Sequence, residues 1–316
     1  MTETTPRKKL VIAGGSGYLG SAFVRYLNEH ASHEWDIVIL SRSRPDWIES
    51  ATRVSHITWD GRTIGDWVQS LNGCTHILNL SGRSVDCRKT PARCDEILRS
   101  RVESTLVLGE AFRSLGTTPE VWVQMSTAHI YGDPPSAVCD ESSAFGYGLA
   151  PTVGKAWEQA FEDACPEGPR RVILRTSFVL GPQGGAFPTL RRVAKLGLGG
   201  KVGSGTQGIS WIHELDMCRI FEDALTNDAR SGIYIATAPE PVGYLEFMRG
   251  LRKRIRQPIA LPGPEIGLRL ICSTILDTDP ELVLYGRYCV PKRFLDEGYE
   301  FTYSTLDEVL DALTSA

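Results

Sequence analysis

A short apolar segment that runs directly into a glycine-rich turn constrains the fold of this chain more than any other feature. Residues 9–13 (KLVIA) have the composition of a buried strand, and residues 14–20 read GGSGYLG. In such a turn Gly14 permits the tight reversal, Gly17 lets the backbone approach a pyrophosphate, and Gly20 lets the following helix pack on the sheet. The alternative is a glycine-rich turn without a ligand. The predicted dinucleotide contacts are at Gly14, Gly17, Tyr18, Leu19 and Gly20.

The residues after the second strand favour a phosphorylated dinucleotide. An amphipathic helix over residues 16–30 is followed by an apolar strand over residues 37–40. At the end of that strand an Asp or Glu would bind the adenosine ribose of NAD, but here the chain reads SRSR over residues 41–44. Because guanidinium and hydroxyl groups suit a 2′-phosphate, we expect NADP rather than NAD, bound through Ser41 and Arg42. The alternative is a solvated loop.

Strand-like and helix-like segments alternate along the first 180 residues. The predicted strands cover 9–13, 37–40, 54–59, 75–80, 120–125 and 171–174, and the predicted helices cover 16–30, 63–71, 94–115 and 152–164. This alternation predicts an α/β fold, with a Rossmann-type doubly wound parallel sheet and helices on both of its faces.

The character of the chain changes at residues 181–185, after which glycine, proline and short elements dominate. We therefore expect residues 1–180 to form an NADP-binding Rossmann domain, with some later strands returning to it. Residues 181–316 are expected to form a smaller α+β lobe that covers the substrate and ends in a helical segment. Helices are predicted there over 244–256, 266–276, 291–297 and 306–313.

Composition excludes several classes of partner. The chain has 316 residues, with 34 Lys and Arg against 38 Asp and Glu, so nucleic acid is not an expected partner. No apolar run approaches the length of a membrane span or an export signal. The eight cysteines lack the spacing of zinc ligands and are interpreted as reduced thiols. We expect a cytoplasmic protein without a metal site, either a monomer or a homodimer.

Several motifs resemble a known superfamily. They are GGSGYLG from Gly14, ILNLSG from Ile77, ILRSRVEST from Ile97, STAHIYG from Ser126, LRTSFVLGPQGGAFP from Leu174, GLGGKVGSGTQGISWIHELD from Gly197 and APEPV from Ala238. The chain resembles an extended short-chain dehydrogenase/reductase. Within that superfamily it is similar to the atypical sugar-nucleotide epimerase-like group, whose C-terminal domain has no assigned role.

The resemblance implies further cofactor contacts. Asp60, at a strand end, would accept from the adenine amino group, and Leu80, Ser81 and Gly82 would lie along the ribose and phosphates. Thr127 corresponds to the hydroxyl residue that hydrogen-bonds the reacting carbonyl or alcohol. The alternative for Thr127 is a cap on the next segment.

The segment LAPTVGKAWE, residues 149–158, departs from the superfamily. Ordinary members carry Tyr-x-x-x-Lys here, in which the lysine lowers the pKa of the tyrosine and binds the nicotinamide ribose. Lys155 matches the lysine, but Pro151 stands four residues before it. An alternative register places Gly154 and Ala150 at these two positions. Neither register supplies a tyrosine.

Other groups are candidates for the proton transfer. They are Tyr147, Tyr131, His129 and His213, of which we favour Tyr147 and His213 together with Thr127. Each has a structural alternative: Tyr147 lies between glycines and would be exposed, whereas His213 would cap a helix or link the two lobes.

Arginines dominate the predicted substrate determinants. The resemblance places Arg175 and the loop with Gly185 around the substrate, and Arg83 lies near the nicotinamide end. Arg101 is expected to face the cleft from its helix and to contact the cofactor. A phosphorylated or carboxylated ligand would find partners among these cations.

Two functions of different classes fit the sequence. The first is an NADP(H)-dependent oxidoreductase, or an epimerase-like enzyme, that lacks the usual tyrosine and acts on a small molecule such as a nucleotide sugar or another polar metabolite. The second is a catalytically silent nucleotide-binding regulatory protein.

Overall fold

The computed structural model describes residues 7–31, 34–51, 53–134, 136–262 and 285–315. The strands are β1 (Lys8–Ala13), β2 (Trp35–Ser41), β3 (Val54–Thr58), β4 (His76–Asn79), β5 (Val121–Thr127), β6 (Val138–Cys139), β7 (Arg170–Thr176), β8 (Phe178–Leu180), β9 (Gly208–Ile209), β10 (Trp211–His213), β11 (Gly232–Ala236), β12 (Val242–Gly243) and β13 (Tyr288–Cys289). The helices are α1 (Tyr18–His30), α2 (Pro91–Leu115), α3 (Leu149–Ala164), α4 (Phe187–Lys195), α5 (Glu214–Thr226), α6 (Tyr244–Arg254), α7 (Lys292–Asp296) and α8 (Leu306–Ser315).

A seven-stranded sheet forms the centre of the molecule. Its strand order is β11-β7-β5-β4-β1-β2-β3, and every neighbouring pair is parallel. The chain builds outward from β1 to β3, returns to β4 on the other side of β1, and then builds outward again. The predicted Rossmann-type sheet is therefore confirmed. In such sheets ligands bind where the order reverses, which here is at the carboxyl ends of β1 and β4.

Helices cover both faces of this sheet. On one face Phe23 of α1 contacts Phe221 of α5, with ring centroids 5.3 Å apart. On the other face Trp122 of β5 packs between Phe112 of α2 and Phe161 of α3. All five side chains are almost fully buried, and burying a large aromatic side chain contributes about 2–3 kcal/mol each. The sheet strands are apolar on both faces because both faces are covered.

A second lobe packs at the carboxyl edge of the sheet. It contains the strand pairs β8/β10 and β9/β12 and the helices α4, α6 and α8 around a core with Phe187, Trp211 and Phe247. Strand β13 pairs with β6, so the C-terminal segment lies on the loop that follows β5. Strand β11 leaves this lobe and joins the main sheet beside β7. The domain boundary near residue 180 stays a prediction.

Most predicted elements are present, with shifts that have local causes. Helix α1 begins at Tyr18 rather than at residue 16, because Gly17 occupies its N-cap. Helix α2 begins earlier, at Pro91, since the Thr90 hydroxyl accepts from the backbone of Arg93. Residues 66–71 form a 3-10 helix instead of an α-helix. The helix predicted over 266–276 lies outside the described residues. None of the described helices is long and apolar enough to cross a membrane.

The contact between α2 and α3 leads to a stability prediction. A Cβ at Gly109 would overlap the backbone carbonyl of Ala164 at the end of α3. We expect Gly109→Ala to lose about 1–3 kcal/mol through overpacking, which outweighs the gain of about 1 kcal/mol in helix propensity. Chemical denaturation measures the difference. Gly250→Ala on α6 is the control, because the nearest atom there is the movable side chain of Leu310. A Gly109→Ala variant as stable as this control would contradict the prediction.

Candidate functional site

A cavity of about 1300 Å³ lies where the strand order reverses, between the sheet edge and the second lobe. It brings together residues from most of the predicted positions. Those that line it are Gly14, Gly17, Tyr18, Leu19, Gly20, Ser41, Arg42, Asp60, Leu80, Ser81, Gly82, Arg83, Arg101, Thr127, Tyr147 and Gly185. The cavity walls do not include Lys155, Arg175 or His213.

The glycine turn holds backbone donors at one end of the cavity. Gly14 has φ +76°, and a Cβ there would lie 2.9 Å from backbone atoms of Leu80 and Ser81. Glycine is therefore required for the turn to approach the end of β4. Gly17 caps α1 without a side-chain hydrogen bond, and the first turn of α1 has no acidic residue. The first N–H groups of this helix are consequently available to an anion.

A buried polar network positions the loop after β4. Asn79 accepts from the backbone N–H of Ser81 at 3.1 Å and donates to the side chains of Thr105 and Gln124. The hydroxyl of Ser81 is buried at the cavity wall and has no hydrogen-bond partner among the described residues. An unpartnered buried hydroxyl is costly, so this wall is suited to a polar ligand.

The end of β2 presents one arginine to the cavity. Ser41 donates to the carbonyl of Ser43 at 2.9 Å, which fixes the turn that carries Arg42. Arg42 is exposed at the cavity wall and makes no ion pair within the described residues. Arg44, in contrast, lies outside the cavity 3.8 Å from Glu49. Arg42 is therefore the guanidinium that a ligand would meet here.

Asp60 is anchored by its own loop. Its carboxylate accepts from the backbone N–H groups of Arg62 and Thr63 and from the Thr63 hydroxyl, at 2.7–3.0 Å. These hydrogen bonds lower the pKa of Asp60. The carboxylate lines the cavity as an ionised group whose position is set by the turn.

Tyr18 connects the glycine turn to the second lobe. Its hydroxyl donates to Glu214, the first residue of α5, at 2.5 Å. A Cβ at Gly184 would overlap the Tyr18 ring, and a Cβ at Gly181 would overlap the Tyr18 hydroxyl oxygen. Burial and the bond to Glu214 raise the pKa of Tyr18, so the phenol stays protonated. The loop with Gly185 is thereby held at the cavity wall.

Thr127 and His129 lie together at the end of β5. The Thr127 hydroxyl oxygen accepts from the backbone of His129 at 3.1 Å, and in the described part of the chain no acceptor takes the hydroxyl proton. Both residues line the cavity. Burial, followed by the charges of Arg287 and Lys89, holds the pKa of His129 well below its usual range. The imidazole is therefore neutral near pH 7.

Helix α3 presents no ionisable group to the cavity along its i, i+4 face. That face carries Leu149, Val153 and Trp157. Lys155 is two residues after Val153, and two residues of an α-helix turn a side chain through about 200°, away from the cavity. Lys155 is therefore exposed, and its ammonium lies 5.8 Å from the centroid of the Phe145 ring. The motif's lysine is thus absent from the cavity, and its tyrosine is absent from α3. Tyr147 lines the cavity but is 94% exposed.

A guanidinium from α2 lies beside that face instead. Arg101 packs over the Trp157 ring, with its Cζ 4.9 Å from the centroid, and donates to the carbonyls of Arg83 and Ile97. Burial lowers the pKa of Arg101 to about 10, which leaves it cationic at neutral pH. Arg83 also reaches the cavity, where it is paired with Glu96.

Arg175 and His213 are placed outside the cavity, against the sequence-based prediction. Arg175 is 1% exposed and bonded through two nitrogens to Glu158 of α3, at 2.7 and 2.8 Å. Its third nitrogen donates to the hydroxyl of Tyr131, so the geometry is that of an internal ion pair. His213 caps α5 by accepting from the backbone of Leu215 at 3.1 Å. Sequence patterns gave no means of telling a buried partner from a ligand.

Sequence reasoning missed several cavity residues from the second half of the chain. They include Ser177, Gln207, Tyr244 and Arg287. Arg287 lies more than 150 residues after β5, and no local motif marks it. For proton transfer the sequence-based prediction favours His213 over His129, whereas the cavity lining contains His129 and not His213.

Comparison with known proteins shows the family of this chain. The sequence model described as the NAD dependent epimerase/dehydratase family matches residues 10–236. The chain belongs to this family. A second model, described as a domain of unknown function (DUF1731), matches residues 264–313. The resemblance inferred from the motifs is therefore confirmed.

Relatives within the family match over most of the chain. An epimerase family protein of Staphylococcus aureus (strain N315) is 29% identical over 97% of this chain and 99% of its own length. A chloroplastic SDR39U1 homolog of Arabidopsis thaliana is 28% identical over 96% of this chain and 85% of its own.

Solved structures agree with this fold. The crystal structure of human epimerase family protein SDR39U1 (isoform 2) with NADPH has a TM-score of 0.84 at 26% identity, covering 97% of this chain and 99% of that one. UDP-glucuronic acid 4-epimerase from Bacillus cereus, in complex with NAD, has a TM-score of 0.74 at 17% identity, covering 97% of each chain. The second likeness shows the fold alone.

The buried ion pair of α3 can be tested by stability measurements. Glu158→Ala leaves the buried Arg175 without its carboxylate, and we expect a loss of about 3–5 kcal/mol in the free energy of unfolding. Glu162→Ala, on the same helix, removes the more exposed partner of Arg171 and should cost about 0–1 kcal/mol. Equal losses in the two variants, measured by urea denaturation, would show that the Arg175 pair is not structural.

Proposed function

We propose that the chain binds NADP(H) in this cavity and uses it in an oxidoreductase or epimerase-like reaction on a small polar molecule. The observation that carries the proposal is the joint placement of the glycine turn, Arg42 and the unpartnered Ser81 hydroxyl along one cavity wall. The NADPH complex of human SDR39U1, which has the same fold and family, supports the choice of cofactor.

Each part of the dinucleotide has suitable partners. The free N–H groups at the start of α1 suit the pyrophosphate, and Arg42, on the turn that Ser41 fixes, suits the 2′-phosphate. Asp60 faces the adenine end as a fixed carboxylate, and Ser81 can donate to a ribose or phosphate oxygen. We assign NADP(H) over NAD(H) because Arg42 has no carboxylate partner within the described residues.

The remaining cavity residues suit reaction at a carbonyl or alcohol. The bound cofactor would supply or accept a hydride. The Thr127 hydroxyl proton, which no acceptor among the described residues takes, can hold the reacting oxygen, and Arg101 supplies positive charge beside the apolar face of α3. Of the four proton-transfer candidates, His129 and Tyr147 line the cavity. Burial and the charges of Arg287 and Lys89 keep His129 neutral and make it a weak base.

The apolar cavity face of α3 also favours a second candidate function. A protein that keeps the nucleotide site but presents neither the tyrosine nor the lysine of the usual motif from α3 fits a nucleotide-binding regulator. Turnover separates the two candidates. Oxidation of NADPH with any member of a panel of carbonyl compounds and nucleotide sugars supports the enzyme, whereas tight binding without turnover supports the regulator.

The cofactor preference rests on Arg42. We expect Arg42→Ala to weaken NADPH binding about tenfold or more, because a charge-assisted hydrogen bond to the 2′-phosphate is lost, and to leave NADH binding unchanged. Fluorescence titration with both nucleotides measures this. Arg44→Ala is the matched control, since Arg44 lies outside the cavity beside Glu49. Wild-type protein that binds NADH more tightly than NADPH would refute the preference.

The role of Thr127 is tested by turnover. We expect Thr127→Val to reduce kcat about 100-fold or more, as removal of a single transition-state donor does, with NADPH affinity retained. Thr152→Val is the control, because the Thr152 hydroxyl is exposed and bonded to the carbonyl of Gly148. Undiminished kcat in Thr127→Val would remove Thr127 from the reaction.

A further inference from the structure

Arg287 lies in the cavity wall and comes from the C-terminal segment of the chain. Arg287 is only 6% exposed and lines the cavity. The Nε atom donates to the carbonyl of Gly132 at 2.6 Å. A guanidinium has five N–H donors, so this bond uses one of them.

The backbone around Arg287 fixes its position. Its N–H donates to the carbonyl of Gly208 at 2.9 Å, and its carbonyl accepts from the hydroxyl of Ser210 at 2.9 Å. The same Ser210 oxygen accepts from the N–H of Cys289. A Cβ at Gly208 would lie 2.5 Å from the carbonyl carbon of Arg287, so the two segments are in direct backbone contact. The backbone of Arg287 is therefore held by residues 208–210, and its guanidinium is held by the loop after β5.

Among the residues that the structure describes, no carboxylate pairs with the positive charge of Arg287. No carboxylate oxygen of the described residues lies within 4.0 Å of its guanidinium, and Asp133, which also lines the cavity, is exposed and farther away. Arg175 and Arg230, which are buried to a similar degree, are by contrast neutralised, the first by Glu158 and the second by Asp223 and Glu297. Burial lowers the pKa of Arg287 to about 10, so it remains cationic at neutral pH. An unpaired buried charge is costly, and an anionic ligand would remove that cost.

The charge also lies near the reacting end of the cavity. Arg287 is bonded to Gly132, three residues after His129 and five after Thr127. Its charge contributes to the lowered pKa of His129, which requires the two groups to be close. A ligand anion on Arg287 would therefore sit beside the groups that hold and deprotonate the reacting oxygen.

We propose that Arg287 binds an oxyanion group of the substrate, a carboxylate or a phosphate, through its two terminal nitrogens. These nitrogens form the fork that matches two oxygens of either group. The substrate class is then a small anionic molecule whose acid group lies a short distance from the reacting carbonyl or alcohol. That the anion belongs to a substrate rests on the proposed function; that Arg287 binds an anion does not.

Calorimetric titration of the full-length protein tests the inference. Sodium acetate and inorganic phosphate are the probes, and each is titrated into wild type, Arg287→Gln and Arg287→Lys. We expect wild type to bind at least one probe, Arg287→Gln to weaken that binding tenfold or more, and Arg287→Lys to give an intermediate loss because it keeps the charge without the fork. The probe that binds more tightly distinguishes carboxylate from phosphate.

Controls separate this site from other anion sites. Phosphate also suits the start of α1 and Arg42, so the titration is repeated in Arg42→Ala, where the binding that depends on Arg287 should persist. Arg171→Gln is the arginine control outside the cavity, because Arg171 is paired with Glu162. NADPH titration of each variant reports whether the fold and the nucleotide site are intact.

The outcomes are distinct from those of the proposed function. If wild type binds neither probe, or if Arg287→Gln binds both as tightly as wild type, the inference is overturned. If Arg287→Gln does not fold, Arg287→Lys decides, and unchanged binding of both probes in that variant overturns the bidentate assignment. A wild-type protein that fails to bind NADPH refutes the proposed function, whereas the anion titration still tests Arg287.

Discussion

The hydrogen bond from Tyr18 to Glu214 joins the two halves of the cavity. Tyr18 begins α1 within the glycine turn, and Glu214 begins α5 directly after β10. The Tyr18 side chain fills the space left by Gly181 and Gly184. Because the phenol stays protonated, it remains a donor to the carboxylate over the whole neutral range. The glycine turn and the loop with Gly185 are therefore fixed relative to each other.

Helix α3 has a structural role in place of the role its superfamily gives it. Its buried side carries Glu158, which holds Arg175 and accepts from Ser126 at 2.5 Å. Its cavity side is apolar, and the cation beside it, Arg101, comes from α2. Positive charge is thus present at this part of the cavity, but on a group that hardly exchanges protons near pH 7. Any proton transfer must involve other cavity residues.

The sequence predicted what depends on local pattern. The glycine turn, the parallel alternation and Arg42 follow from neighbouring residues, and the structure brings them to one cavity. A motif predicted that Lys155 binds the cofactor. The direction of its side chain depends on which face of α3 turns to the cavity, and that face carries apolar residues. Arg175 is held by a partner 17 residues away. Arg287 reaches the cavity through pairing of short strands distant in sequence, for which no periodicity exists.

The return of β11 to the main sheet has an evolutionary consequence. The chain leaves the sheet after β7, builds most of the substrate-side wall, and then supplies β11 as the edge strand beside β7 before it continues into α6. A gene segment encoding the second lobe that is exchanged between relatives must therefore carry β11 with it, because a lobe transferred without this strand would leave the backbone of β7 exposed at the sheet edge.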